Sequence, residues 1–290
     1  MNKGSYGVRR LTTTFRANSD KTFLIMAKLI HPRNTIGQLI QNAVRKTTGV
    51  RRLTTTSPAN TDMRSDKLEL KYEVLSQQRI TEAAWLMTKE LQTHNPMARF
   101  LRIPKDIHFR RYKAQLEKVA QNGFSAIGID TSTDKVIGLA TALLMSNLDQ
   151  FEYFFDPTRC DEFKPIRLLA SKLAEVFFNI EEVKNLQAQG YPFLFIDAGV
   201  ITERYRGTGM MTHFGHWILE AAWTKGAKIA FARPNNTYGL RAVKRMGFEE
   251  VEQITFKEFD INGLKPFKDI QDDPESAGST LVIRRLKSDH

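Results

Sequence analysis

The run Arg204-Tyr205-Arg206-Gly207-Thr208-Gly209-Met210 holds the residue types and spacing best suited to chemistry in this chain. Two glycines one residue apart let the backbone turn sharply and approach a ligand with no side chain in the way. The apolar stretch 193–201 before it reads as a buried strand, and 208–225 after it reads as a helix. The amides of residues 206–210 would then point outward from a helix start, where the helix dipole adds positive potential. Such a cradle suits a pyrophosphate, and Arg204 and Arg206 can add charge to its oxygens. Two other phosphate loops fail on inspection. A dinucleotide fingerprint needs a glycine three residues after Gly209, where Thr212 stands. A nucleoside triphosphate loop ends in Gly-Lys-Ser/Thr, but Gly209 is followed by Met210 and Met211.

Few other residues offer chemistry. Asp197 falls in the middle of the apolar strand, where an unpaired carboxylate is costly. It is therefore either a catalytic base or a structural acid paired with an arginine or with backbone amides. His213 and His216 share a helix face, yet lack the His-x-x-x-His spacing and acidic partner of a zinc helix. They read as packing or surface residues, and no metal site is expected. Cys160 is the single cysteine, which excludes an internal disulfide and a thiolate cluster.

The elements that must position the loop alternate from about residue 68 onward. Helical periodicity marks 77–93, 106–121, 163–187, 208–225 and 236–246, and strand patterns mark 68–75, 124–129, 136–145, 193–201, 228–232, 250–259 and 281–286. His94-Asn95-Pro96 stops the first helix, and Asn122-Gly123 caps the second. A mixed α/β layer fold follows. With 290 residues, 41% of them hydrophobic, the chain can bury a substantial core, and no run approaches the 18 apolar residues of a membrane-crossing helix.

The net charge of +11 is concentrated at the start. Residues 1–61 hold eleven Lys and Arg against one acid, Asp20, so the basic pI describes a leader, and the body, residues 62–290, is nearly neutral. Gly7–Thr14 recurs letter for letter as Gly49–Thr56. Two copies make no solenoid, so a duplicated exon or gene-model artefact is the plain reading, with Met26 as a candidate native start. Ile36, Leu39, Ile40 and Val44 fall at helical spacing within this Arg-, Ser- and Thr-rich stretch, the composition of a mitochondrial transit peptide. An unstructured tail with no address fits equally, so the expected location is the cytoplasm or the mitochondrial matrix. A nucleic-acid arm is disfavoured, since Phe15 and Phe23 alone give little stacking surface.

The segment Arg204-Tyr205-Arg206-Gly207-Thr208-Gly209 resembles motif A of the GNAT acetyltransferase superfamily, whose pattern is Gln/Arg-x-x-Gly-x-Gly/Ala between a strand and a helix. Asn236 and Gly247-Phe248 stand in the places of the family's next motif. The resemblance covers about residues 68–287. It looks closest to the invertebrate arylalkylamine (dopamine-type) branch, through Val200-x-x-x-x-Tyr205-Arg206-Gly207-x-Gly209-Met210, the helix before the motif and the strand pair around Asn262-Gly263. It implies a single GNAT-like domain over 62–290: a mostly antiparallel twisted sheet, a parallel pair splayed at the acetyl-CoA site, and helices on both faces.

What the resemblance implies for chemistry is N-acetylation of a primary amine, most simply a small molecule, by direct attack on acetyl-CoA without an acyl-enzyme. Ala198, Gly199 and Val200 would hold the pantetheine arm through their backbone and polarise the thioester carbonyl. Residues 206–210, with Thr208 and Met210 between and after the glycines, would take the pyrophosphate, and Asn236 would join the cofactor site. The sequence departs from the family at two points. Val243 stands where a proton-donating tyrosine is expected, four residues before Gly247, and Asn95-Pro96-Met97 replaces an acidic residue before Pro-Leu. Candidate substitutes are Asp197 as base and Tyr238, two residues after Asn236, on the thiol side; a structural acid and a packing tyrosine are the plain alternatives. His94 and His108 flank the segment where acceptors of such enzymes bind, although loop histidines are common. Arg99, Arg102, Lys105, Arg110, Arg111 and Lys113 form either a solvated face or a selector for an acidic acceptor. A non-catalytic acyl-CoA binder and a protein or histone acetyltransferase remain alternatives. Oligomeric state is left open by the sequence.

Overall fold

The computed structural model describes residues 69–155, 161–270 and 277–287. The basic leader, its duplicated segment, Met26 and Cys160 lie outside them. Within them the expected alternation of strands and helices holds. The strands are β1 (Leu70–Val74), β2 (Ala126–Asp130), β3 (Lys135–Met145), β4 (Phe193–Ile201), β5 (Ile229–Ala232), β6 (Glu249–Thr255) and β7 (Gly278–Arg285). The helices are α1 (Ile80–His94), α2 (Pro96–Leu101), α3 (Lys105–Ala120), α4 (Leu148–Phe154), α5 (Lys164–Asn179), α6 (Glu181–Ala188), α7 (Met210–Thr224) and α8 (Thr237–Arg245).

The strands form one sheet in the order β1-β2-β3-β4-β5-β7-β6. Every neighbouring pair is antiparallel except β4 and β5. That parallel pair is short: only Leu194, Phe195 and Ile196 face Ala230, Phe231 and Ala232. Beyond Ile196, β4 runs on beside β3 alone, so the sheet parts between β4 and β5. The expected splayed pair is thus present.

Two apolar layers cover the sheet. One packs α1, α3, α4 and α5 on Leu139, Phe193, Phe195, Phe231 and Ile283. It is rich in rings, with Phe177 stacked on Phe231 at 3.9 Å between centroids. The other packs α7 and α8 on Ala140, Ala142, Leu194, Ala230 and Val282. Here close approach is built from small residues. A Cβ added at Gly128 or Gly138 would run into the Met210 sulfur, so these bare strand positions let the start of α7 sit directly on β2 and β3.

Three departures from the sequence reading have local causes. The helix expected over 163–187 breaks at Ile180, whose extended backbone (φ −62°, ψ 130°) separates α5 from α6. The apolar period survives the break because α6 still turns Val183 inward. Asn95-Pro96, read as a stop, also starts α2: Asn95 accepts a hydrogen bond from the Ala98 amide at 3.1 Å, with proline in the first turn. Asn147 starts the unforeseen α4 in the same way, accepting from the Gln150 amide at 2.9 Å. No helix among the described residues is long and apolar enough to cross a membrane.

Candidate acetyl-CoA site and the parted strands

The alternation along β4 changes phase at Asp197. Phe193 and Phe195 belong to the phenylalanine-rich layer, and so do Ala198 and Val200, which lie an odd number of residues further on. The register accounts for this: Thr141 faces Ala198 and Ala142 faces Ile196, leaving Asp197 as the extra residue of a β-bulge. Asp197 therefore points to the same face as Phe195 and Ala198. Gly199 turns to the opposite face, where an added Cβ would meet the Met211 sulfur. The bulge lies where β4 leaves β5, so the backbone from Ala198 to Ile201 borders the opening.

Arg233 is the first residue after β5 and continues the alternation of Ile229 and Phe231. It reaches Asp197 at 3.3 Å, and the two side chains, 11% and 5% exposed, bridge the strands just past their last paired residues. Gln115 of α3 donates to the second carboxylate oxygen, and the Thr141 hydroxyl lies 3.4 Å from it. The Thr141 oxygen also accepts the Ala198 amide at 3.1 Å, so the bulge is pinned by a β3 side chain. Burial pushes the Asp197 carboxyl up, and Arg233 and Arg111 pull against it. Burial lowers Arg233 to about 10, which still leaves it charged near neutrality. Tyr112, close by on α3, is pushed up to about 12 by burial.

After β4 the chain makes one 3-10 turn, Glu203–Tyr205, and enters the glycine loop. Gly207 and Gly209 have φ of +79° and +78°, and a Cβ at either would meet nothing within 4 Å. Backbone hand, not crowding by the protein, demands glycine here. Gly209 is the left-handed N-cap of α7 and brings no side chain to its free amides. The loop is tied down from below. The Tyr205 hydroxyl donates to Asp130 at 2.5 Å, and the Thr208 hydroxyl donates to the Tyr205 carbonyl at 2.9 Å. The Asp130 carboxyl is held below its usual range, chiefly by Ser132 and then by Tyr205.

The two loop arginines differ. The Arg204 guanidinium lies over the Tyr205 ring, 5.8 Å from its centroid. Arg206 instead turns to the buried Glu90 of α1 at 2.8 Å, with His94 3.7 Å from the same oxygen. Met210 is fully buried, its side chain packed over Gly128 and Gly138. Asn236 caps α8, accepting from the Gly239 amide at 2.7 Å, and Tyr238 in the first turn is exposed. Val243, in the place of the family tyrosine, is buried against the second layer. His213 lies 4.2 Å from the Tyr72 ring. His108 is fully buried in α3, edge-on to Phe163, and burial lowers it to about 4.

The strands thus bring together Asp197, Ala198, Gly199 and Val200, and the loop adds Arg204, Gly207, Thr208, Gly209 and Met210. Sequence reasoning missed Glu90, Gln115, Thr141 and Arg233. Two of these carried a signal: Arg233 keeps the strand alternation, and Glu90 stands three residues after Met87 on the apolar face of α1.

A mostly antiparallel sheet with one parted parallel pair, a bulge at the opening and a glycine-led helix beyond it is the fold of the GNAT acetyltransferases, as the resemblance implied. No protein-family model matches the chain, and a search of curated proteins finds no match. Solved structures do match. Arylalkylamine N-acetyltransferase 2 from Aedes aegypti superposes with a TM-score of 0.62 at 16% identity, over 75% of this chain and 99% of that one. A mosquito arylalkylamine N-acetyltransferase-like 5b gives 0.63 at 14% identity, over 75% and 100%. The polyamine N-acetyltransferase of Drosophila melanogaster gives 0.59 at 11% identity, over 75% and 100%.

Proposed function

We propose that this chain is an acetyl-CoA-dependent N-acetyltransferase acting on the primary amine of a small molecule by direct attack in a ternary complex. One observation carries the reading: a single strand, β4, borders the opening beside β5 and then delivers the left-handed glycines at the start of α7. A slot and an anion cradle on one continuous segment suit a ligand with a long thin arm and a diphosphate. The similarity to structures named for arylalkylamine, polyamine and agmatine acetylation supports the reaction class.

Acetyl-CoA supplies a thioester activated for attack by nitrogen. Of the amides expected over 206–210, that of Arg206 is taken by the Glu203 carbonyl at 3.1 Å; those of 207–210 hold the diphosphate's negative charge at the start of α7, and Arg204 adds positive charge beside them. Arg206, drawn to Glu90, fastens the loop to α1. Asp197, raised by burial, receives the acceptor's ammonium proton through water. Tyr238 is the hydroxyl on α8 that returns a proton on the thiol side, in place of Val243. Titration calorimetry of the full chain with acetyl-CoA, followed by thiol release across a panel of amines, tests the proposal. Saturable binding with amine-dependent release is expected; absence of binding would refute it.

A second reading rests on two positions. Val243 is packed in the core, and the Asn95 oxygen is taken by the Ala98 amide, so neither family acid–base group has a direct replacement in place. A non-catalytic acyl-CoA binder would bind acetyl-CoA and release no thiol with any amine.

A further inference from the structure

A cavity of about 400 Å³ opens on the α3 side of the parted strands. Its size falls within the usual range for small-molecule sites. Arg110, Arg111, Lys118 and Arg167 line it against a single acid, Glu162, and Gln115 joins it to the bulge through its bond to Asp197. Phe154 and Phe155 give it an aromatic wall, and the Arg233 guanidinium lies 4.6 Å from the centroid of the Phe155 ring. Arg110, at the rim, is exposed and paired with Asp106 at 3.2 Å, whereas the inner cations are seated. The Arg111 guanidinium lies over the Phe163 ring at 3.9 Å, and the Lys118 ammonium lies over Tyr153 at 4.5 Å. Arg167 is buried in α5. Of the basic cluster read from the sequence, only Arg110 and Arg111 line this cavity; Lys118 and Arg167 come from later turns and another helix.

We infer that the acceptor is an amine that also carries a carboxylate, such as a free amino acid, and that this cavity binds it. The inference rests on the transferase reading above and names the substrate class of that site. A cleft in which four cations outnumber one carboxylate focuses positive potential, so it repels an acceptor that is purely cationic and draws one with an anionic group. Guanidinium groups meet carboxylates through paired hydrogen bonds, which fixes orientation as well as affinity. The same field lowers the pKa of an ammonium held in it, raising the neutral fraction that can attack. In the transfer, the amine nitrogen bonds to the acetyl carbon as its bond to sulfur breaks. The nitrogen gives up its proton, and the thiolate takes one up.

The full chain is assayed by thiol release from acetyl-CoA with matched acceptors: tyrosine against tyramine, phenylalanine against phenethylamine, arginine against agmatine. After correction for the neutral-amine fraction, the carboxylate-bearing member of at least one pair is preferred by about tenfold or more in kcat/KM, a threshold well below the discrimination that fully buried polar pairing can supply. Arg110→Glu, at an exposed position, and Lys118→Glu, at a half-buried one, raise KM for that acceptor and leave acetyl-CoA affinity unchanged. Preference for the decarboxylated amines, or a preference unmoved by both charge reversals, overturns the inference. If acetyl-CoA binds and no acceptor supports turnover, the transferase reading fails on its own. Calorimetric titration with the three amino acids then decides the cavity: binding lost on charge reversal upholds it, and no binding overturns it.

Discussion

Asp197 and Arg233 show how two side chains can bridge a pair of strands where their backbone ladder ends. Each stands one step beyond the last paired residue of its strand, and their ion pair spans the place where the ladder ends. A buried pair of this kind contributes little net stability, but breaking it leaves an uncompensated charge. Asp197→Asn should therefore cost about 3–5 kcal/mol in urea unfolding. Adding Arg233→Met should recover most of that, because the orphaned guanidinium is removed. A single variant as stable as wild type would mean that solvent reaches the pair. Gly209 presents the opposite case, where space is ample and conformation is the constraint. An L-residue held at φ +78° costs about 1–2 kcal/mol, more if β-branched. Gly209→Val should raise the acetyl-CoA dissociation constant at least about tenfold, the size of one such energy. Far-ultraviolet dichroism should be unchanged, since no neighbour is struck.

At the scale of elements, the sequence was legible where periodicity and turn chemistry agreed. The strand–loop–helix from Phe193 to Thr224, the β2–β3 hairpin and the helix after Asn236 all stand where their patterns place them. The bulge was not legible, because a one-residue insertion leaves composition untouched and only shifts which face each side chain takes. Its trace is the phase change across Asp197-Ala198, visible once the partner strand is known. The partners of Asp197 were hidden for a different reason: Gln115 and Thr141 are 82 and 56 residues away along the chain. α3 illustrates the same limit. His108 lies on the face it shares with Tyr112, and the fold buries it against Phe163 with Arg111 nearby. Its folded value of about 4 lies below the ordinary histidine value of 6.5. In that window the unfolded chain binds a proton that the native state refuses. Its contribution to stability is thus complete above about pH 6.5 and is lost as pH falls toward about 4. Melting temperature measured from pH 7.5 down to pH 4.5, about the span of that titration, should decline for the wild type. It should decline less steeply for His108→Leu. Identical slopes would show that His108 is protonated in the native state.

Taken whole, the molecule separates its two candidate ligand regions onto different layers that meet at one strand. The glycine loop leads into α7, in the layer that packs on Ala140, Ala142 and Ala230, and the cationic cavity is walled by α3, α4 and α5 on the phenylalanine-rich side. β4 borders both, since its phase change turns Asp197 and Ala198 to the layer that holds the cavity, where Asp197 meets the cavity residue Gln115, and turns Gly199 toward α7. On the proposed reading, two ligands would meet at the opening, each held by its own elements, with no protein group carrying the acetyl group between them. The site residues offer no activated nucleophile: there is no cysteine among the described residues, and the Thr141 hydroxyl is engaged with Asp197 and Ala198. Initial-rate measurements with both substrates varied should give intersecting lines, the mark of a ternary complex, and a rapid mix of enzyme with acetyl-CoA alone should release no stoichiometric burst of thiol. Cys160→Ser should keep kcat within about twofold, well under the loss expected when a covalent nucleophile is removed. Parallel lines together with a burst that disappears in Cys160→Ser would place an acyl-enzyme on the path and end the direct-attack mechanism.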